Sequence, residues 1–462
     1  LKPSWLAGSL RELKTKAMQR VSALRHRARS LPVVRRSSVA KWSRHEAGAP
    51  HSRTLTALQL QPGSTRTFWQ SRCLNTAPAA AGSRGQRLPV NIPDLAAMHA
   101  STHAAMTSRD MDDWAKSPEV LNHWHSRPSH QAQQPSRIRR PAGGRKKGNY
   151  QVAPGWWVEC LSCAGTKHAD TLNQDAFSVT HLSSGWMMCV VCDGHGHQGE
   201  IVAERVARAI PLLLSRHLPA LGPEGALQKA FLEAQTDLEG ALSSTQVTSG
   251  STVAACLVNY ERGEVWSAHA GDSRVILADL AKNASVFCTV DHKAHDAGEN
   301  ERLEEAGANV RYETYGDGSQ LSRVFVPGTG FPGLAMSRSL GDGCLKEYGV
   351  VADPEVKDLS DLWKSSEKPV LLLASDGIFH CLEDTDLVSY AVMAQRKDVS
   401  EVSVPTLLQY ICKRSAEMWM DLEDDYVDDC TVAVFAPHES FVDPAAGDKP
   451  LDGPMQSMKA GP

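Results

Sequence analysis

From Tyr150 onward the sequence breaks into short apolar runs, each bounded by Gly, Asp, Asn or Ser: Trp186 to Cys192, Thr252 to Tyr260, Glu264 to Ala268, Arg274 to Ala278, Val370 to Ala374 and Thr431 to Phe435. Runs this short, rich in β-branched and aromatic side chains, read as strands. Between the first and the second lie Val202, Val206, Ile210 and Leu213, then Leu227, Phe231, Ala234 and Leu238, both sets at helical spacing. A strand, two consecutive helices and then several strands is an α+β order, not the strict alternation of a parallel α/β sheet. Further helices are expected over Glu299 to Ala306, stopped by Gly307, and near Asp384 to Gln395 and Val404 to Met420. The Gly-rich stretch Gly316 to Asp342 reads as an irregular loop, which inside a compact domain often accompanies function.

The rest of the chain has a different texture. Residues 1–149 are rich in Arg, Ser, Ala, Pro and His with little apolar periodicity, and are expected to be mostly disordered. Residues 150–437 form the folded domain, and 438–462 a Pro/Gly/Asp-rich flexible tail. Of the 49 Lys and Arg, 17 fall between Leu1 and Pro93 against only Glu12 and Glu46, so an acidic body follows a basic head. An acidic body does not suit the phosphate backbone of nucleic acid, and none is expected as a partner. The first fifty residues, Arg-rich and almost free of acids, also fit an organelle transit peptide. No apolar run approaches the roughly 20 residues that span a bilayer, so no membrane span is expected. Eleven scattered Cys without a secretory signal point to a reducing compartment: cytoplasmic by default, nuclear or organellar through the basic head. A monomer is the plain expectation.

Several acids stand where the apolar runs begin or end. Asp193 follows the 188–192 run, Asp272 follows Val265 to Gly271, Asp376 follows Val370 to Ser375, Asp428 precedes Cys430 to Phe435, and Asn173-Gln174-Asp175 lies upstream. A strand end is rigid and exposed, and so can hold a carboxylate at a defined point. One such Asp is a turn residue; several together suggest converging carboxylates. Crowded like charges raise one another's pKa unless something positive sits between them, and oxygen-only ligands favour hard ions such as Mg²⁺ or Mn²⁺. A pair of such ions is the expected cofactor. Two C-x-x-C units, Cys160 with Cys163 and Cys189 with Cys192, superficially suggest zinc. Both lie in strand-like runs, where positions i and i+3 point to opposite faces, so a core role is expected instead.

At this point a resemblance becomes specific. Asp193-Gly194-His195-Gly196-His197, Ser249-Gly250-Ser251-Thr252, Ala270-Gly271-Asp272-Ser273-Arg274, Gly333 through Asp342, Ala374-Ser375-Asp376-Gly377 and Asp428-Asp429-Cys430-Thr431-Val432 resemble the ordered motif series of the protein phosphatase 2C (metal-dependent protein phosphatase) family. They cover about residues 155 to 437. The resemblance implies two packed antiparallel sheets flanked by helices, and hydrolysis of phosphoserine and phosphothreonine in protein substrates by metal-activated water. It further implies that Asp193 bridges two Mg²⁺ or Mn²⁺ ions, that Asp376 and Asp428 complete one site, and that Asp175 with the Gly194 carbonyl holds the other. Asp272 matches the ligand of a third, weaker ion, and His195 the group that protonates the leaving oxygen. His197 is expected to be structural or solvated.

Three departures accompany the match. Gln174 stands where animal members commonly carry Glu. The phosphate-binding Arg usually found a few residues earlier is absent, leaving Lys167 or His168 as the nearest cation, a point charge without a bidentate fork. His380 stands where an Asp is normal, which bears on the third ion. The loop Gly316 to Gly333 is expected to border the cleft. Other readings fail on their residues. Gly194 to Gly199 matches G-x-G-x-x-G, but no second strand ending in an acid follows as a dinucleotide fold requires. Cys256 to Arg262 matches C-x5-R, yet no Gly curls that segment around a phosphate and Glu261 would repel one. The alternative of another class is a pseudophosphatase that keeps the fold as a binding module; the missing Arg and His380 favour it, and the retained acids oppose it.

Overall fold

The computed structural model describes residues 105–128, 136–137, 156–166, 172–242, 248–314, 320–395, 404–423 and 426–441. The expected transit segment, most of the basic head, Lys167, His168 and residues 442–462 lie outside them. The fold is α+β, as the order of elements predicted. One large sheet runs Val120–His125, Asp175–Leu182, Trp186–His195, Val253–Asn259, Glu264–Ala270, Glu355–Asp358, with the short strands Gly250–Ser251 and Leu340–Gly341 attached at one end. A second runs Ala284–Cys288, Arg274–Asp279, Pro369–Ala374, Cys430–Pro437, Trp156–Cys163, Ser136–Arg137. The pairings within the two large sheets are antiparallel.

The strand Trp186–His195 shows why the sheets lie where they do. Its even-numbered residues Met188, Val190 and Cys192 pack with the apolar face of the long helix Gly199–Ala241. Its odd-numbered residues Met187, Cys189 and Val191 pack with Val158, Leu371, Leu373 and Phe435 of the second sheet. A strand buried on both faces must be apolar throughout, which is what the uninterrupted 186–192 run encodes. The same alternation separates Cys189 from Cys192, as expected, and places Cys189 Sγ 3.9 Å from Cys160 Sγ within the inter-sheet core. None of the ten Cys among the described residues forms a disulfide. On the outer face of the second sheet lie the helices Asp384–Gln395 and Val404–Glu423. The two expected helices between the first strands form one long element broken at Gly222, whose φ of 68° departs from the helix, and Val202, Val206, Ile210, Leu227, Phe231 and Leu238 are all buried. Among the described residues no helix is long and apolar enough to cross a membrane.

Two expectations need correction. The stretch from Gly316, read as an irregular loop, carries the strands Gln320–Phe325, Pro332–Leu334 and Leu340–Gly341; the first two join Asn309–Thr314 in a small third sheet with its own apolar cluster around Val324, Leu334, Met336 and Leu345. The glycines that suggested a loop are compatible with strands because Gly333 and Gly341 hold positive φ. The ordered domain also begins well before residue 150. The helix Ser108–Trp114 opens on a Thr107/Asp110 capping box, and Val120–His125 pairs with Asp175–Leu182. Polar contacts attach this segment: Arg205 bridges Asp237 and the Met106 carbonyl, and Arg208 reaches Asp112 at 2.8 Å. Met111 and Val120 also enter the core beneath the long helix, but so few apolar positions leave no periodicity to read.

The edge strand carries His123, whose Nδ1 lies 2.8 Å from Thr180 Oγ1 and whose ring meets Trp114 edge-on at 5.3 Å. Burial, with His125 beside it, pushes His123 down to about 3. The unfolded chain accepts a proton near pH 6.5 that the folded strand refuses, so this contribution to stability is present above that pH and lost as pH falls toward 3. Lowering the pH from 7 to 5 should cost up to about 2 kcal/mol at this residue, and the melting temperature of His123→Phe should fall less over that range than that of the wild type. Parallel melting curves would remove His123 as the source.

Candidate active site

The acids and His195 singled out from the sequence meet at one end of the two large sheets, while Lys167 and His168 lie outside the described residues. Asp175 is the first residue of its strand and Asp193 stands directly opposite it in the neighbouring strand. Asp376 opens the short helix Asp376–Phe379 just after Pro369–Ala374, and Asp428 lies two residues before Cys430–Pro437, the strand paired with it. Hydroxyl and backbone contacts fix these positions: Ser375 Oγ donates to Asp175 Oδ2 at 2.8 Å, Thr252 Oγ1 accepts from Asp193 N–H at 3.1 Å, and Gly194 N–H donates to the Gln174 carbonyl at 3.1 Å. Gly377 is obligatory next to Asp376, because a Cβ there would meet the Asp429 carbonyl oxygen at 1.9 Å.

Like charges facing each other across adjacent strands repel, and the titration of the group reflects it. Burial first, then Asp376, Asp175 and Asp428, raise Asp193 well above the ordinary carboxylate range, and its carboxyl is hydrogen-bonded to Asp376. Burial, with Asp272 and Asp428, pushes Asp376 up to about 6. Oxygen-donor side chains crowded in this way, with Asp376, Asp175 and Asp428 all acting on Asp193, fit a pair of hard divalent cations at this place, and no nitrogen or sulfur ligand that would favour a softer metal stands among them.

His195 sits at the rim. Its Nε2 is 2.7 Å from Asp342 Oδ2, which also accepts from Ser339 Oγ at 2.6 Å, and its Nδ1 is buried with no hydrogen-bond partner. Burial alone would lower the imidazole pKa, but the charge and hydrogen bond of Asp342 more than offset it and raise it above the ordinary value. Asp342 is correspondingly lowered, against its own burial. It holds a left-handed φ of 46°, and Gly250 leaves it room: a Cβ there would lie 2.1 Å from Asp342 Oδ2 and 2.6 Å from His195 Nε2. His197 is exposed, as expected.

Asp272 is placed differently. Lys293 Nζ is bonded to its Oδ2, while Oδ1 is buried without a partner. Burial would raise Asp272, but Lys293 and then His195 lower it. His380 stacks on Trp419, with ring centroids 4.4 Å apart, and burial lowers its pKa so that it stays neutral. Three contributors escaped the sequence reading. Asp342 was visible only as the end of a motif. Asp429 accepts from Gly165 N–H at 2.7 Å and from Gln174 N–H at 3.0 Å, joining the Asp175 and Asp428 loops. Lys293 follows an unremarked Asp-His pair.

A separate group, His269, His292 and Glu355, brings its ligand atoms within 4.8 Å of one another. His292 Nδ1 accepts from Gly271 N–H at 3.1 Å, which leaves the ring proton on Nε2, and His269 Nε2 donates to the Val290 carbonyl at 2.8 Å. One nitrogen of each imidazole is thus committed to backbone, and burial pushes His292 down to about 3. The group acts as a clamp, carrying Asp291-His292-Lys293 onto the Gly271-Asp272 turn.

The metal-free acid cluster should be least stable when fully ionised. A carboxyl raised to about 6 in the folded state contributes stability below its unfolded pKa and loses it as pH rises through 6. In a chelator the melting temperature should therefore fall from pH 5 to pH 7, a loss on the order of 1 kcal/mol for Asp376 alone. Asp376→Asn should flatten that slope; an unchanged slope would show that the carboxylates are not in conflict.

Residues 163–417 match the family model described as "Protein phosphatase 2C". A rice protein named "Probable protein phosphatase 2C 64" is 35% identical over 253 residues, covering 51% of this chain and 57% of the relative. A mouse protein named "Probable protein phosphatase 1N" is 35% identical over 252 residues, 51% of this chain and 56% of the relative. In both cases the match spans less than two thirds of the relative's own length. A serine-threonine phosphatase 2C of Toxoplasma gondii, known as a crystal structure, superposes with a TM-score of 0.49 at 19% identity, over 66% of this chain and 99% of that one.

Proposed function

The chain belongs to the protein phosphatase 2C family, and from that premise we propose that it hydrolyses phosphoserine and phosphothreonine in protein substrates with the aid of two Mg²⁺ or Mn²⁺ ions. The observation that carries the proposal is the register placing Asp175 opposite Asp193, with Asp376 and Asp428 acting on the same point. Asp193 would be shared between the ions, Asp376 and Asp428 would complete one set of ligands, and Asp175 with the Gly194 carbonyl the other. Bound there, such ions supply positive charge for the phosphoryl oxygens and lower the pKa of water.

The chain's own residues would do the rest. The strand ends hold the carboxylates rigidly, so no reorganisation is needed as charge develops. His195, whose pKa Asp342 raises, would carry its spare proton at Nδ1, the ring nitrogen without a protein partner, and release it to the leaving Ser or Thr oxygen. Asp342 would orient the ring through Nε2 and stabilise its charge without taking the proton. Lys167 and His168 are the proposed cations for the incoming phosphate. The reading as a binding module with little activity has no supporting contact at the acid cluster, where each Asp of the proposed set is present.

Turnover of a phosphothreonine peptide with Mn²⁺ should vanish with EDTA and in Asp193→Ala; equal rates in Asp193→Ala and wild type would refute catalysis at this site. His195→Ala should slow the peptide by about 100-fold or more, the ordinary worth of a general acid. It should slow an aryl phosphate far less, since a phenolate leaves without a proton. Equal slowing of the two substrate classes would exclude His195 as the acid.

A further inference from the structure

Lys293 is delivered to the acid cluster by construction. Gly271 and His292 exchange two backbone-anchored hydrogen bonds: Gly271 N–H to His292 Nδ1 at 3.1 Å and His292 N–H to the Gly271 carbonyl at 3.0 Å. The His292 ring stacks on His269 with centroids 4.3 Å apart, and the Ser337 N–H donates to the His292 carbonyl at 2.9 Å. On the other side, Asp296 Oδ2 accepts from Lys293 N–H at 3.1 Å. The residue is therefore fixed from both directions, and its ammonium group bonds Asp272 Oδ2. The same charge acts on Asp376 and Asp291. Asp291 is itself held by Arg274 through two contacts of 2.6 and 2.9 Å, which leaves Asp272 as the carboxylate bonded to Lys293.

A hard dication beside Asp272 would take about six oxygen ligands, several of them water and at least one or two of them carboxylate. Asp272 offers one unengaged oxygen, Oδ1. Asp376 already faces Asp193. The position four residues after Asp376 is His380, a neutral ring stacked against Trp419 and not an oxygen donor. An ammonium in the same place would also repel any incoming dication.

We infer that the Lys293 ammonium stands where a third divalent ion would otherwise sit beside Asp272, so that the centre takes two ions and a fixed lysine charge. The inference rests on the phosphatase reading above, and it concerns only the place beside Asp272. Lys293 is thereby a positioning residue: it keeps Asp272 ionised next to His195 without a diffusible cation. Its charge cannot be removed by chelation, unlike that of an ion.

The test is the number of Mn²⁺ ions bound per full chain, read from the loss of the free Mn²⁺ EPR signal during titration to millimolar concentration. Wild type should bind two. The variant carrying Lys293→Ala and His380→Asp should bind a third, and adding Asp272→Ala should remove it again; melting in EDTA checks that each variant is folded. Three ions in the wild type, with one lost in Asp272→Ala, would overturn the inference while leaving the two-ion reading intact. A folded double variant that still binds two would overturn it as well, because Lys293 would not be what excludes the ion. Fewer than two ions in the wild type would instead sink the reading on which it rests. A wild-type count of three would overturn the inference even if a variant fails to fold.

Discussion

The repulsion between Asp175 and Asp193, opposed across adjacent strands, is the constraint around which this structure is organised. Antiparallel pairing holds the two carboxylates on facing positions whether or not a cation is present. Asp376 and Asp428 arrive from the neighbouring sheet on the paired strands 369–374 and 430–437. Water cannot relieve the conflict cheaply, because burial is the leading cause of the raised Asp193 and Asp376 carboxyls. The two-sheet core, with Met187, Val191, Leu371, Leu373 and Phe435 fully or almost fully buried, supplies the stability that keeps the acids together. A protein that stores this much electrostatic conflict at a rigid strand end is poised to gain binding energy from cations, since each neutralised repulsion is regained on binding.

Around that point the supporting contacts follow one pattern: a small or backbone group makes room, and a polar group fixes direction. Gly250 makes room for the contact of His195 with Asp342, and Ser339 fixes the same carboxylate from the other side. Gly377 lets Asp376 approach the 428–429 turn, while Ser415 Oγ and Trp419 Nε1 both donate to the Gly377 carbonyl, at 2.6 and 2.7 Å. Asp429 ties the turn before Asp175 to the turn after Asp428. None of these groups needs to touch a substrate. Each removes a freedom that the acids or His195 would otherwise have.

The elements were legible where burial is periodic. The all-apolar 186–192 run announced a strand buried on both faces, and the two sets at helical spacing gave the broken 199–241 helix. The acids were legible because carboxylates at strand ends are costly unless used. What escaped was structure held by polar contacts and by glycine conformation. The 108–125 segment attaches through Arg205 and Arg208, and the strands at 320–334 hide in a Gly-rich stretch. Asp342 and Lys293 escaped for another reason: their partners His195 and Asp272 lie 147 and 21 residues earlier in the chain, and no local pattern reports a contact of that kind.

The small third sheet depends on the acid cluster's frame through a buried ion group. Glu299, on the helix Ala297–Glu305, accepts from Arg302 at 2.7 and 2.9 Å, from Arg338 at 2.6 Å and from Ser337. Burial would raise this carboxyl, but the hydrogen bonds from Arg302, Arg338 and Ser337 hold it far below its ordinary range. Ser337 and Arg338 open the segment that ends in Asp342, and the Ser337 amide is the one bonded to the His292 carbonyl. Glu299 therefore ties together three things: the helix beneath the third sheet, the segment that orients His195, and the clamp that carries Lys293. A buried carboxylate with two guanidinium partners tolerates little displacement, since losing either partner leaves an uncompensated charge. The position of the third sheet and the alignment of His195 thus rest on the same few contacts.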